Sequence, residues 1–331
     1  SYLEGHRLRR EILVTVITND LVNRVGISFV DEVGEATGAS PAAVTLAYVA
    51  AREIVGAREL WAQIEALDNR APAQVQVELL VEIARLIERV TTWLLHEHPA
   101  ALPQVLVNKY RAGVQEIGRG LSSLVTKAEH AALRERTQAW SRAGVPDALV
   151  EHVGGLQFLL PAVDIVRVAE LARVTLEEAG QLYFKVGRKF GFEWLRGATR
   201  ALPVHRAWDR QAVAALRDEL FASQREVTLA VLQSTAAELD GAARVHAWGA
   251  ARHGALARSE HLLAELRATQ SHDFAMLTVV ARQLESLVRA APLPAVPASA
   301  GTGATSLVPT VTIPVVAEAT GAGASRARSS V

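Results

Sequence analysis

Histidines are the side chains in this sequence whose type and spacing first raise the question of metal chemistry. His246, His253 and His261 follow one another at intervals of seven and eight residues, so on one continuous helix they lie roughly along one face. A zinc site needs a tighter cluster, such as two histidines four residues apart with fixed supporting partners. His96 and His98 stand at the end of a predicted helix, where a histidine interacts favourably with the helix dipole. We interpret all five as packed or solvated side chains, with a helical-bundle metal enzyme as the alternative.

Nucleotide-binding and acyl-transfer motifs are absent from the sequence. Neither a GxGxxG turn after a strand nor a GxxxxGK[ST] loop occurs, and no serine lies in a GxSxG turn. Gly118-Arg119-Gly120 lies in a helical stretch and indicates a close helix contact rather than a phosphate cradle. The chain has no cysteine, which excludes disulfides and cysteine-ligated zinc. The sequence therefore predicts no catalytic, no cofactor-binding and no metal-binding residue in this segment.

Basic residues are concentrated between residues 185 and 210, where only Glu193 and Asp209 oppose them. Phe190, Phe192 and Trp194 are interleaved with these basic residues. One interpretation is a face that contacts an acidic partner or another domain, and its candidates are Lys185, Arg188, Lys189, Arg196 and Arg200. The other is a solvated face on which cationic stems cover buried aromatic rings.

Carboxylates elsewhere fall mostly beside arginines at helical spacing. Glu82, Arg85, Glu88 and Arg89 are one such group, with partners three and four residues apart. This pattern is typical of a solvent-exposed helix face, and it predicts no catalytic carboxylate.

The overall composition narrows the classes of partner. The 331 residues include 35 basic and 35 acidic side chains, so no global charge draws the chain to nucleic acid or to an anionic membrane. Charged or polar residues interrupt every apolar stretch before the roughly 18–20 residues that cross a bilayer. Together with the lack of cysteine, this predicts a cytoplasmic protein that binds neither nucleic acid nor membrane.

The pattern of prolines, caps and apolar residues predicts an all-α fold, a multi-helix bundle or array. Ser40-Pro41 reads as a helix start, and Thr175 with Glu178 has the spacing of a capping box. Apolar residues three and four apart predict further helices over residues 4–24, 29–37, 74–98, 103–140, 208–238, 243–269 and 274–289.

Composition shifts suggest three parts of the chain. Residues 1–68 read as a helical segment that continues from an upstream domain, and residues 69–290 as a helical accessory domain. Residues 291–331 are rich in Pro, Gly and Ala and contain no aromatic residue, so we predict a disordered tail. The alternative for residues 305–316 is an edge strand on a partner, which Pro309 and Pro314 disfavour. Because the sequence starts at Ser1 and its single methionine is Met276, we expect a segment from the C-terminal side of a longer polypeptide.

An ordered series of short segments resembles the C-terminal region of the large bacterial NAD-specific glutamate dehydrogenases. The resemblance covers roughly residues 1–290 and leaves out the tail. In the first part of the chain it rests on His6-Arg7-Leu8-Arg9-Arg10-Glu11-Ile12, Asn19, Asn23-Arg24, Gly26, Phe29, Glu35-Ala36-Thr37-Gly38-Ala39, Ala47-Tyr48, Arg52-Glu53-Ile54, Leu60-Trp61, Ile64 and Ala66-Leu67-Asp68. Later it rests on Tyr183-Phe184, Gly187, Phe190-Gly191, Trp194-Leu195-Arg196, Trp208, Leu216-Arg217-Asp218-Glu219-Leu220, Gln224-Arg225 and Thr228.

The resemblance implies membership in an enzyme without implying an active site in this segment. The family oxidatively deaminates L-glutamate to 2-oxoglutarate and ammonium with NAD as hydride acceptor, and it forms homo-oligomers. Its substrate-binding lysines and dinucleotide fold belong to an upstream catalytic domain that no stretch of this chain matches. We therefore expect a structural, oligomerising or regulatory helical domain that binds no NAD itself and whose partner is the catalytic domain of the same polypeptide. The alternative is a free-standing helical interaction module without enzymatic activity.

Overall fold

The computed structural model is all α-helical throughout the part of the chain that it describes, which is residues 5–124 and 127–290 without the side chains of residues 121–123, 128 and 207. A 3-10 turn, Leu156–Phe158, joins two of the helices. The helices are α1 Arg9–Val25, α2 Phe29–Thr37, α3 Pro41–Ile54, α4 Ala57–Glu65, α5 Ala73–Glu97, α6 Pro103–Leu124, α7 Lys127–Arg142, α8 Asp147–Gly155, α9 Leu160–Ala172, α10 Leu176–Lys189, α11 Phe192–Arg200, α12 Ala207–Ser234, α13 Gly241–Ala250, α14 His253–Ala268 and α15 Phe274–Arg289. The all-α prediction is confirmed.

Side-chain caps start several of these helices where the sequence places them. The Ser40 hydroxyl accepts from the Ala43 amide at the start of α3, which has Pro41 in its first turn. Thr175 accepts from the amide of Glu178 at 3.1 Å in α10. Each cap satisfies a backbone N–H that has no partner within the helix, so the chain direction at these starts is fixed locally.

The core is continuous across the described part of the chain. Helix α3 packs on α5 and α6, and α9 packs on α6, α10 and α12, while α12 and α14 both pack on α15. Buried side chains run from Leu21 in α1 to Leu287 in α15. Helices on both sides of residue 68 thus share one core. The functional division into residues 1–68 and 69–290 stays a prediction.

Helices α6 and α7 cover the predicted stretch 103–140, and residues 125–126 between them lie outside the described residues. Another long predicted helix is divided in the structure. The stretch 243–269 forms α13 and α14, because the Arg252 amide bonds back to the Gly249 carbonyl in a tighter turn that ends α13. The expectation that His246, His253 and His261 share one helix was therefore wrong. Helix α11, which follows Gly191 in the left-handed region at φ +79°, was not predicted separately.

The predicted disordered tail, 291–331, and its alternative edge strand lie outside the described residues. Among the described helices, none is by itself long and apolar enough to cross a membrane. Two strongly bent pairs meet that test jointly by length and composition, Arg9–Val25 with Phe29–Thr37 and Asp147–Phe158 with Leu160–Ala172.

Candidate functional site

A buried polar network at the meeting point of α5, α9, α10 and α12 is centred on the carboxylate of Asp164. The carboxylate accepts from Trp93 Nε1 at 2.8 Å, from Tyr183 Oη at 3.1 Å and from Arg225 Nη1 at 2.6 Å. Arg225 also bonds Glu97 Oε1 at 2.5 Å. Burial and the negative charge of Asp164 hold the pKa of Tyr183 well above its usual value, so its phenol stays protonated and donates. Through these hydrogen bonds the Asp164 carboxylate links side chains from four helices, α5, α9, α10 and α12.

Four arginines from three helices lie close enough for their charges to interact, and two of them contact the ring of Phe221 in α12. We call the four the arginine cluster. They are Arg89 from α5, Arg196 and Arg200 from α11, and Arg217 from α12. The Phe221 ring centroid lies 5.0 Å from the Arg89 guanidinium carbon and 4.5 Å from that of Arg196, which is the range of cation–π attraction.

Mutual repulsion within the cluster is visible in the electrostatics of Arg89. Burial, together with the charges of Arg217, Arg200 and Arg196, lowers the pKa of its guanidinium to about 9, and Asp218 acts in the opposite direction. The side chain therefore remains charged at neutral pH. Burial also lowers the pKa of Arg196, whereas Tyr183, Glu193 and Asp164 act to raise it.

Gln224 connects the cluster to the Asp164 network. Its amide nitrogen donates to the Tyr183 carbonyl at 2.8 Å, and its amide oxygen accepts from Arg196. Gly187 in α10 makes room for this arrangement, because a Cβ there would lie 2.7 Å from Gln224 Nε2. The position of Arg196 thus depends on a glycine in a different helix.

One small cavity adjoins these residues, and a larger groove lies apart from them. The small cavity of about 70 Å³ lies between α5, α9 and α12 and is lined by residues of both the network and the cluster, including Arg89, Trp93, Asp164, Asp218, Phe221 and Arg225. The larger open groove of about 850 Å³ is lined by residues of α3, α6, α7 and α8, including Val114, Arg119, Leu133, Arg134, His152 and Leu159. Burial lowers the pKa of His152, so this histidine is neutral at neutral pH.

The five predicted contact residues are separated into two groups. Lys189 pairs with Glu260 of α14 at 3.1 Å, Arg188 lies 4.0 Å from Glu193, and Lys185 lies near the start of α13. Arg196 and Arg200 belong to the arginine cluster. That these five residues contact another protein stays a prediction.

Sequence reasoning missed Arg89 and Arg217 as members of the cluster. Arg85 forms the expected ion pair with Glu82 at 2.9 Å. The solvent-face interpretation was wrong for Arg89, because its Nε and Nη2 are buried. A signal was present, since Arg89 follows the buried Leu86 at three residues and precedes the half-buried Trp93 at four.

The histidines are dispersed in the structure. His98 Nε2 lies 2.6 Å from Tyr110 Oη, and its ring packs against Trp93. His246 belongs to α13, while His253 and His261 belong to α14. Across residues 5–124 and 127–290, no group of three or more His, Asp or Glu side chains is placed to hold a metal ion.

These features define an all-helical domain whose helices are held by buried ion pairs. A family model described as the C-terminal region of glutamate dehydrogenase matches residues 1–286. The chain belongs to this glutamate dehydrogenase C-terminal family.

The relatives are named as NAD-specific glutamate dehydrogenases, and their chains are much longer than this one. The NAD-specific glutamate dehydrogenase of Pseudomonas aeruginosa is 34% identical over 288 residues, 87% of this chain. Those of Halomonas elongata and Mycobacterium tuberculosis are 30% and 28% identical over 85% and 87% of this chain. The chain spans about 18% of the length of each of these relatives.

Proposed function

We propose that this chain is the helical accessory domain of an NAD-dependent glutamate dehydrogenase that oxidatively deaminates L-glutamate to 2-oxoglutarate and ammonium. Family membership supports the proposal, and so does the 18% share that the chain has of its relatives' length. The proposal places NAD and the reacting groups in another part of the polypeptide, and it places the enzyme in the cytoplasm as a homo-oligomer.

The observation that carries an architectural role is the apolar surface of α1. Leu21 is the fully buried residue of this helix. Leu13 and Val16 are exposed, and the half-buried Ile12 and Ile17 lie beside them at helical spacing. An apolar stripe of this kind is normally covered by another element. We propose that the catalytic part of the same polypeptide covers it.

The basic residues of α10 supply a second proposed contact. Arg188 and Lys189 are exposed at the end of this helix, and Lys185 lies one turn before Lys189. Exposed cations at an interface rim mainly orient the partners and add little affinity. We propose that the apolar stripe of α1 supplies most of the affinity for the catalytic part, and that these basic residues orient the contact.

The test places a charge on the α1 stripe of the full-length enzyme. Val16→Asp should release α1 from the catalytic part, because a carboxylate buried in an apolar contact is strongly unfavourable. The expected result is a loss of NAD-dependent glutamate oxidation, a change in oligomer size by light scattering, or both.

A matched control is available on α15, the last of the described helices. Val279 of α15 is 58% exposed, the same fraction as Val16, so Val279→Asp exposes the same chemistry at a surface with no proposed contact. If the two variants retain the same activity and assembly as the unmodified enzyme, the α1 docking role is wrong.

A further inference from the structure

The arginine cluster contains hydrogen-bond donors that nothing in the described chain satisfies. Nε and Nη2 of Arg89 and Nε of Arg217 are buried and have no hydrogen-bond partner. A buried charged donor without a partner is costly, and such groups usually have an ion or water beside them. Two unsatisfied guanidinium groups in one cluster point to a missing acceptor.

The charge around Phe221 points the same way. In the described residues, none of the four arginines forms an ion pair with a carboxylate within 4.0 Å, whereas Arg225 nearby has two such partners. Arg196 bonds only the neutral amide of Gln224. The neighbouring acids include Asp218, Glu88, Glu193 and Glu82, and among the described residues none of them forms an ion pair within 4.0 Å with an arginine of the cluster.

The adjoining cavity of about 70 Å³ provides the space for an acceptor. Arg89 lines this cavity together with Asp218. The other two acids in its wall, Asp164 and Glu97, are already bonded to Arg225. Burial raises the pKa of Asp218, while the charges of Arg217 and Arg89 oppose that increase. A cavity of this size accommodates a few water molecules or one small oxyanion.

We propose that the arginine cluster and this cavity bind one small oxyanion of the phosphate class from solution. Guanidinium groups match such an anion because their N–H donors form parallel, charge-assisted bonds to its oxygens. The anion would accept from Arg89, which lines the cavity, and from Arg217, whose charge acts on Arg89 from beside the cavity. It would offset the repulsion among the four arginines. Because these two donors come from α5 and α12, a bound anion would hold these two helices together. The proposal is independent of the α1 contact.

The experiment uses the full-length enzyme, inorganic phosphate as the probe, and sodium chloride at equal ionic strength as the reference. Hydrogen exchange read by mass spectrometry reports on α5 and α12 separately from the rest of the protein. Phosphate should slow exchange in peptides covering residues 80–97 and 215–228. Arg89→Gln and Arg217→Gln should each abolish this protection and weaken phosphate binding by on the order of tenfold in titration calorimetry.

Arg85→Gln is the matched control, because Arg85 lies one turn before Arg89 on α5 and already has Glu82 as its partner. This variant should keep the full phosphate effect, and Arg89→Lys should keep part of it. Unchanged exchange in α3 verifies that each variant is folded. If phosphate protects neither helix, or protects both equally in the Arg89 and Arg217 variants, the proposal is overturned. The proposal is also overturned if a carboxylate from another part of the full-length chain fills the site.

Discussion

Glu193 on α11 is the residue at which local electrostatics has the clearest effect on folding. Its Oε1 is buried without a hydrogen-bond partner, and the nearest cation is Arg188 at 4.0 Å. Burial and the charge of Glu129 together raise the pKa of this carboxyl to about 7, against the opposing charges of Arg188 and Arg196. The folded protein therefore keeps a proton on Glu193 that the unfolded chain loses at a lower pH.

This difference predicts the sign of a pH effect. Since the folded-state pKa lies above the unfolded value, the contribution of Glu193 to stability falls as pH rises from about 4.5 to about 7 and then stays constant. Glu193→Gln removes the contribution. Relative to the unmodified protein, we expect the variant to gain about 1–3 kcal/mol between pH 5 and pH 8.

Thermal denaturation at the two pH values measures this gain. Glu226→Gln, at an exposed position of α12, is the control and should follow the unmodified protein. An identical pH dependence in the Glu193 and Glu226 variants would contradict the assignment.

At the scale of elements, the close approach of helices α10 and α12 decides where the arginine cluster stands. Gly187 lets Gln224 lie against the α10 backbone, and Gln224 in turn bonds Arg196. The same principle operates between α6 and α9, where a Cβ on Gly113 would lie 2.6 Å from Val166 Cγ2. Small residues at these crossings let the backbones pack closely.

Two glycines in neighbouring helices should therefore respond oppositely to the same substitution. Gly187→Ala must displace the buried Gln224, so we expect a loss of about 1–3 kcal/mol in the free energy of unfolding. Gly197 in α11 is exposed, and a Cβ there meets no atom within 4 Å. Gly197→Ala should stabilise the protein by about 0.5–1 kcal/mol, because alanine is the better helix former. Chemical denaturation distinguishes the two, and a common sign would contradict this packing argument.

The sequence predicted most helices because their starts depend on local chemistry. Ser40 and Thr175 set helix starts through side-chain hydrogen bonds, and prolines limit helices because they lack a backbone N–H. A few residues of sequence are therefore enough to predict these ends. The break between α13 and α14 has no proline, and it depends on a turn that the apolar pattern does not mark. The arginine cluster could not be predicted from the sequence, for a different reason. Arg89, Arg196 and Arg217 are far apart in the chain, and only the packing of α5, α11 and α12 brings them together.

At the scale of the whole molecule, burial is distributed unevenly between the first helix and the rest. Helix α5 buries residues along its length from Leu79 to Leu95, whereas α1 has Leu21 as its fully buried residue. Local stability follows buried apolar contact. We therefore expect helix α1 to be only weakly stable unless another element packs on its apolar stripe.

Hydrogen exchange on the full-length enzyme tests this dependence. If the catalytic part covers α1, its amides should be nearly as protected as those of α5. Val16→Asp should then make α1 exchange fast while α5 stays protected. Fast exchange of α1 in the unmodified enzyme would mean that the apolar stripe has no cover there.

Helix α5 has a further consequence for how the two proposed surfaces relate. Its 25 residues span about 37 Å at 1.5 Å per residue. It packs on α1 and α2, carries Arg89, and ends at Glu97, which holds Arg225. A helix of this length behaves as a stiff rod, so tilting one part moves the other. Helix α5 thus joins the apolar stripe of α1 and the arginine cluster within one element. We therefore expect a force that the rest of the polypeptide applies at α1 to tilt α5 and to displace Arg89 at the proposed anion site.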